Sequence, residues 1–289
     1  MSPLDADSVR ARLFVALQYL LPQHFISRLA YRITRSRVPL VKNALIRSFV
    51  RSFHPDMSEA EQPDPLQYES FNAFFTRALR AQARPPDPDP AALVSPVDGT
   101  VSQIGRLDGS WLVQAKGHAY TLESLLAADL SWATHLRGGA FATLYLAPFN
   151  YHRVHMPLRG ALRAAWYVPG QLFSVNAITA RYVPKLFARN ERVLILFDTA
   201  FGQMALVMVG ALNVGSIATV WAGDITPAAR RQVTELPAPP LCLDKGEELG
   251  RFNMGSTVIL LFQRGRARLN PDLRAGTIVR LGQSLGHIQ

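Results

Sequence analysis

Four prolines within residues 84–90 divide this 289-residue chain into two parts with different patterns of apolar residues. Proline lacks a backbone N–H and disfavours helical conformation in the residue before it, so such a run forms an extended connector. Before it, apolar residues recur at helical spacing; after it, short β-branched runs alternate with glycine turns. The sequence therefore predicts an α+β protein, with N-terminal amphipathic helices and the connector in residues 1–90 and a mainly-β domain in residues 91–289.

The N-terminal segment is basic and divided by prolines. Pro22 and Pro39 separate about three predicted helices. Residues 8–55 carry no Asp or Glu, and their cationic residues account for most of the chain's net charge of +10. These cations are Arg10, Arg12, Arg28, Arg32, Arg35, Arg37, Lys42, Arg47 and Arg51.

A basic amphipathic segment with aromatic residues is typical of helices that lie in a membrane interface. The longest local apolar block, residues 13–21, is too short to span a bilayer. Each Lys or Arg close to an anionic leaflet contributes about 1 kcal/mol, so several together would hold the protein there. A helical hairpin packed on its own domain is the alternative. We expect no nucleic-acid partner, because no recognition motif accompanies the charge.

The second part of the chain contains strand signals and two similar glycine-turn segments. Residues 141–146 and 193–197 are apolar runs that predict strands, and the uncharged residues 205–223 contain glycines and polar residues that favour buried sheet over a membrane span. Residues 96–101 and 276–288 resemble the strand-and-turn units of lipoyl and biotinyl carrier domains. We therefore expect a barrel-sandwich-like sheet.

Cysteine content and the first residues exclude several classes of protein. Cys242 is the only cysteine, so neither an intrachain disulfide nor a cysteine-based zinc site is possible. Residues 1–7 carry acids rather than a basic region, so we expect no cleavable signal peptide.

The bond between Gly255 and Ser256 stands directly before an apolar, β-branched run, residues 258–262, that predicts a buried strand. Gly255 has no Cβ, so its carbonyl can be approached closely and its backbone can take unusual angles. A deprotonated Ser256 hydroxyl could attack that carbonyl and move the acyl group from nitrogen to oxygen. Elimination and hydrolysis would then leave a pyruvoyl group. Gly-Ser-Thr alone is also a common turn sequence.

Residues 151–157 bring two histidines, His152 and His155, between a predicted strand and a proline. Helical spacing would suggest a metal site, but the flanking prolines disfavour a helix and no third ligand is recognisable, so we expect no metal. Together with Asp98 at a tight turn, His155 and Ser256 are the parts of a base-activated nucleophile. The residues alone do not decide whether the serine attacks a substrate or its own backbone.

The chain resembles the bacterial, membrane-associated phosphatidylserine decarboxylases over nearly its whole length. The segments that carry the resemblance are residues 71–75, 98–99, 116–118, 151–157, 167–170, 173–176, 187–192, 220–223 and 255–257. The family commonly has Leu where this chain has Met254, a change that conserves volume.

This resemblance implies that Asp98, His155 and Ser256 drive autocatalytic cleavage between Gly255 and Ser256. The products are a β chain, residues 1–255, and an α chain, residues 256–289, which stay associated. Ser256 becomes the covalent pyruvoyl cofactor, and His152 is similar to a family histidine that assists decarboxylation.

In turnover, the resemblance implies that the substrate amine forms a Schiff base with the pyruvoyl ketone, which accepts the electrons released on loss of carbon dioxide. Phosphatidylserine in an anionic membrane would become phosphatidylethanolamine. The expected enzyme is a homodimer of αβ units, bound peripherally at the cytoplasmic side of the cell membrane.

Two other classes remain open at this stage. A lipid hydrolase using the same three residues predicts an intact chain that a fluorophosphonate labels at Ser256. The second class is a non-enzymatic carrier or scaffold. This chain lacks the lysine that such a carrier presents between two β-turns, and that function would give neither histidine a role.

Overall fold

The computed structural model describes residues 9–115, 118–127, 130–212, 216–225, 232–255 and 257–289. It confirms the α+β class, with helices first and a mainly-β part after them. The helices are α1 (Val9–Leu20), α2 (Gln23–Thr34), α3 (Pro39–Phe53), α4 (Phe71–Phe75), α5 (Leu122–Leu126), α6 (Leu130–Leu136), α7 (Ala177–Tyr182) and α8 (Leu186–Arg189), with a 3₁₀ turn at Pro65–Gln67.

The predicted division of the N-terminal segment by prolines is confirmed. Pro22 stands directly before α2, and Pro39 is the first residue of α3. At that position the missing N–H costs nothing, because the first N–H groups of a helix have no partner inside it. None of the helices in the described ranges is long and apolar enough to cross a membrane.

Within the described residues, the strands form four antiparallel sheets. The first nine are β1 (Ala92–Val94), β2 (Gly99–Arg106), β3 (Trp111–Ala115), β4 (His118–Thr121), β5 (Ala140–Tyr145), β6 (Arg153–His155), β7 (Gly160–Val168), β8 (Arg192–Thr199) and β9 (Gly202–Val209). The others are β10 (Ile217–Thr219), β11 (Gly223–Ile225), β12 (Thr234–Leu236), β13 (Cys242–Leu243), β14 (Glu248–Phe252), β15 (Thr257–Phe262), β16 (Ala267–Leu269), β17 (Ile278–Val279) and β18 (Ser284–Ile288).

The largest sheet contains nine strands in the order β12-β7-β8-β9-β15-β5-β2-β17, with β13 also paired to β7. β15 lies between β5 and β9 and pairs with both over all six of its residues. Every residue of β15 is buried, which explains why it reads as a continuous apolar run. A second sheet has the order β11-β10-β14-β6, a third β1-β18-β16, and β3 pairs with β4.

The two glycine-turn segments meet in the structure. β17 pairs with β2, and β18 pairs with β1. The proline connector runs beside them, where Asp87 donates its N–H to the carbonyl of Gly282 at 2.9 Å.

The N-terminal helices are held to the mainly-β part by buried glutamines. Gln18 Oε1 accepts from the N–H of Ser174 at 2.8 Å, and Gln23 Oε1 accepts from that of Leu172 at 2.7 Å. These contacts cross the predicted division of the chain near residue 90. That division stays a prediction.

Candidate functional site

Two chain segments pass side by side from the large sheet to the four-stranded sheet. One links β5 to β6 and contains His152; the other links β14 to β15 and contains Gly255. Because β5 pairs with β15 and β6 with β14, the two crossings lie against each other. The N–H of Phe252 donates to the carbonyl of His152 at 3.0 Å. This topology brings His152 next to Gly255.

Gly255 faces His152 across a short distance. A Cβ built on Gly255 would lie 3.4 Å from Nε2 of His152 and 3.5 Å from the carbonyl oxygen of Leu146. The φ angle of Gly255 lies outside the left-handed region, and the absence of a Cβ leaves room beside the imidazole. Ser256 itself lies outside the described residues.

A cavity of about 370 Å³ opens at Gly255. We call it the Gly255 cavity. Its wall is largely apolar and comes from α3, α4, the end of β5, the two crossing segments and residues 174–176 and 211–212. Tyr145, Ser174 and Asn176 are its members with polar side-chain groups. Phe49 and Phe53 bring α3 to its edge, so one of the basic N-terminal helices borders the cavity.

His152 is fully buried and neutral. Its side chain has 0% exposure, and burial lowers its pKa to about 3. Nδ1 lies 2.8 Å from the carbonyl oxygen of Asn150, which only accepts, so Nδ1 carries the proton and Nε2 the lone pair. Among the described residues Nε2 has no hydrogen-bond partner. An imidazole nitrogen with no partner in the described part of the chain therefore faces Gly255.

The position of the His152 ring is fixed by α4. Phe75 packs on it with ring centroids 4.1 Å apart. The short helix is itself anchored: Ser70 caps it by accepting from the N–H of Ala73, and Phe71 and Phe74 pack against Phe49 of α3. Apolar packing thus holds the imidazole without occupying Nε2.

His155 lies at the other end of β14. It pairs with Glu248, and the strand from Glu248 to Phe252 spans about 13 Å at ~3.3 Å per residue. Nδ1 of His155 donates to the carbonyl of Gly246 at 2.8 Å, so Nε2 accepts from the hydroxyl of Tyr151 at 3.0 Å. Burial lowers the pKa of His155 as well.

Asp98 is bound by cationic and backbone donors. Arg84 donates from Nε to Oδ1 at 3.0 Å and from Nη2 to Oδ2 at 2.8 Å, and the N–H of Leu281 donates to Oδ1 at 2.8 Å. The structure therefore brings together His152 and Gly255, whereas Asp98 and His155 have other hydrogen-bond partners. The roles assigned to Asp98, His155 and Ser256 stay predictions.

Asn253 is a site residue that the sequence analysis missed. It is buried two residues before Gly255, where its amide donates to Ser216 Oγ and to Asp224 Oδ1. Asn72 of α4 donates to its backbone carbonyl at 3.1 Å. No local pattern marks this asparagine, because its partners are 29 to 181 residues away.

The described part of the chain contains no group of three or more His, Cys, Asp or Glu side chains that could hold a metal ion.

Comparison with known proteins shows to which family the chain belongs. Residues 71–287 match the model of the phosphatidylserine decarboxylase family, and residues 13–54 match a second family model, described as PSD. The first match includes α4, both histidines and the Gly255–Ser256 bond. The chain belongs to the phosphatidylserine decarboxylase family.

Similar proteins span almost the same length. The phosphatidylserine decarboxylase proenzyme of Azotobacter vinelandii is 53% identical, over 96% of this chain and 99% of its own length. The proenzyme of the same name from Pseudomonas fluorescens is also 53% identical, over 96% and 98%. The Bordetella pertussis proenzyme is 54% identical, over 95% and 94%.

Proposed function

We propose that this protein decarboxylates phosphatidylserine to phosphatidylethanolamine, using a pyruvoyl group that it makes from Ser256. Cleavage of the Gly255–Ser256 bond would give the β chain, residues 1–255, and the α chain, residues 256–289. The observation that carries the proposal is the neutral, buried His152, whose Nε2 faces Gly255 and has no partner among the residues that the structure describes. Family membership and the proenzyme names of its relatives support it.

The Gly255 cavity suits a small covalent carbonyl at position 256. Its walls are mostly apolar, His152 brings a nitrogen lone pair, and Asn176 brings an amide. A pyruvoyl group there supplies an electrophilic ketone that condenses with the substrate amine and accepts the electrons released with carbon dioxide. His152 would move the proton: its neutral Nε2 takes the proton that the substrate ammonium releases on condensation and returns it to the carbon from which carbon dioxide has left.

For self-cleavage we propose the set of Asp98, His155 and Ser256. His155 is neutral with its lone pair on Nε2, as a base must be, and it must exchange the Tyr151 hydroxyl for that of Ser256. Burial lowers the pKa of His155, whereas the hydrogen bond to the Gly246 carbonyl, the charge of Glu248 and, to a smaller extent, the charge of Asp98 act in the opposite direction. Asp98 would thus favour the protonated ring through charge rather than through a direct hydrogen bond.

The α chain would remain bound after cleavage. β15 is hydrogen-bonded on both sides, to β5 and β9, and both neighbours belong to the β chain. β17 and β18 pair with β2 and β1 in the same way. Separation would expose the fully buried β15, so we expect a stable αβ unit and propose that two such units form a homodimer.

We also propose that α1 to α3 hold the protein on the cytoplasmic side of the cell membrane. These basic helices expose many large apolar side chains, including Leu13, Phe25 and Leu40, and soluble proteins rarely leave such a surface uncovered. Since α3 also borders the Gly255 cavity, a bound lipid would have its head group close to the reacting bond.

Sedimentation with vesicles tests the membrane proposal. Phe25→Glu with Leu29→Glu should reduce binding to phosphatidylcholine vesicles that contain phosphatidylglycerol. The matched control is Val113→Glu, which alters a similarly exposed apolar residue on β3. If the Phe25→Glu/Leu29→Glu variant bound these vesicles as strongly as Val113→Glu, the helices would have no role in membrane binding.

Electrophoresis and mass spectrometry test the central proposal. Wild-type protein should give two fragments under denaturing conditions, with a blocked N-terminus on the smaller one. Ser256→Ala should remain one chain without decarboxylase activity, whereas Ser58→Ala, on a surface loop, should behave like wild type. Active protein that consists only of the intact chain would refute the proposal.

A further inference from the structure

A second cavity of about 550 Å³ lies on the other side of α4 from Gly255. We call it the arginine cavity, because five arginines line it: Arg35, Arg37, Arg77, Arg153 and Arg251. It shares no lining residue with the Gly255 cavity. Phe75 faces the Gly255 cavity, while Asn72, Ala73 and Thr76 face the arginines.

Arg77 is a buried cation with unused donors. Its side chain is only 3% exposed, and Nη2 donates to the carbonyl of Phe149 at 3.2 Å. Nε and Nη1 are buried and have no hydrogen-bond partner within the described ranges, and the same holds for Nη1 of Arg35. Burial lowers the pKa of Arg77. Buried polar groups of folded proteins nearly always have partners, so these donors indicate a ligand.

The cavity carries excess positive charge. Three of its arginines have a carboxylate partner: Arg35 pairs with Asp224, Arg37 with Glu69 and Arg153 with Glu248. Arg77 and Arg251 form no ion pair with any described carboxylate. The acidic residues in the lining are Glu61 and Glu69, so an anion would balance charge there.

We propose that the arginine cavity binds a phosphate group, separately from the site at Gly255. The planar guanidinium fork matches phosphate oxygens, and Arg is the preferred residue for such recognition. The phosphate could belong to an anionic lipid head group or be free in solution. The rim favours access from lipid, because Arg37 directly precedes the exposed Val38 and lies close to the exposed Leu40.

Calorimetric titration of the full-length protein tests this proposal. The probes are inorganic phosphate and dihexanoyl phosphatidylglycerol below its micelle concentration. We expect saturable binding of at least one probe and at least a tenfold weaker affinity in Arg77→Gln. Arg137→Gln, which alters an exposed arginine paired with Glu123, should bind like wild type.

The two probes separate the sources of the phosphate group. Binding of the lipid alone assigns the site to a lipid head group, whereas equal binding of both assigns it to phosphate itself. Saturable binding of neither probe, or unchanged affinity in a folded Arg77→Gln, would overturn the proposal.

A second variant covers the case in which Arg77→Gln fails to fold. Arg251 lies on β14 and is only partly buried, so Arg251→Gln should fold. It should weaken the binding of the same probe at least threefold, and unchanged affinity would reject the site. Because binding rather than turnover is measured, either result leaves the proposed decarboxylase activity to its own test.

Discussion

Asn253 donates its side-chain amide to Oδ1 of Asp224 at 3.2 Å. The other oxygen of that carboxylate accepts from Arg35 at 2.8 Å and from the Tyr31 hydroxyl at 3.2 Å. A single carboxylate on β11 therefore connects helix α2 to the residue two positions before Gly255. The segment that holds the Gly255–Ser256 bond is thus braced by the same helices that we expect to contact the membrane.

Replacing Asn253 should damage both stability and processing. Asn253→Leu keeps a similar volume but leaves Asp224 and Ser216 each without one donor and Asn72 without the Oδ1 acceptor, although Asn72 keeps its bond to the backbone carbonyl. Because a buried polar group without a partner costs ~1–3 kcal/mol, we expect the free energy of unfolding to fall by about 2 kcal/mol or more. Urea unfolding in a Ser256→Ala background measures this change.

Processing of Asn253→Leu should also be slower than that of wild type, measured as the fraction of cleaved chain over time. Asn72→Ala is the matched control, since it removes only the donor from α4 and should cause the smaller effect. Wild-type stability and cleavage in Asn253→Leu would show that this asparagine does not brace the segment.

Local signals in the sequence predicted the helices and strands, but they did not predict which side chains meet in the site. Prolines located the helix boundaries, and the apolar run after Ser256 predicted β15. Which histidine reaches Gly255 depends on how β6 pairs with β14, and the spacing of His152 and His155 carries no information about that register. Asn253 was missed for the same reason, because its contacts form only when distant segments pack.

The buried His152 should make the protein sensitive to acid. Its pKa is about 3 in the folded state against about 6.5 unfolded, so between these values only the unfolded state binds the proton. Stability due to the neutral ring is complete above pH 6.5 and decreases by up to ~1.4 kcal/mol per pH unit as pH falls.

Comparison with His152→Gln isolates this contribution. Between pH 6 and pH 4.5, wild type should lose about 2 kcal/mol more than the variant, with both measured by urea unfolding in the Ser256→Ala background. Parallel pH profiles for the two proteins would mean that the ring is protonated in the folded state.

Adding one methyl group at Gly255 should slow cleavage without unfolding the protein. In Gly255→Ala the new Cβ would lie 3.4 Å from Nε2 of His152, an ordinary contact that the fold can accept. The methyl group occupies the space beside the imidazole, so we expect cleavage at least tenfold slower in a time course after synthesis.

The neighbouring Met254→Leu conserves volume and should be cleaved at the wild-type rate. If Gly255→Ala were cleaved as fast as this control, the space beside His152 would have no part in processing.

The last prediction separates the structural role of Asp98 from its proposed chemical role. Asp98→Asn keeps an acceptor for the N–H of Leu281 but removes the negative charge. Arg84→Gln breaks the ion pair and leaves the carboxylate in place. Both changes weaken the contact between the connector and β2, so each should lower the free energy of unfolding, by about 1–3 kcal/mol.

The two variants should differ in processing if Asp98 acts on His155. Loss of the negative charge removes the stabilisation of a protonated His155, so Asp98→Asn should remain largely uncleaved on a denaturing gel. Arg84→Gln retains the charge and should still be cleaved. Equal cleavage in both variants would make Asp98 only an anchor for Arg84, and His152, the nearer histidine, would then be the base to test with His152→Ala.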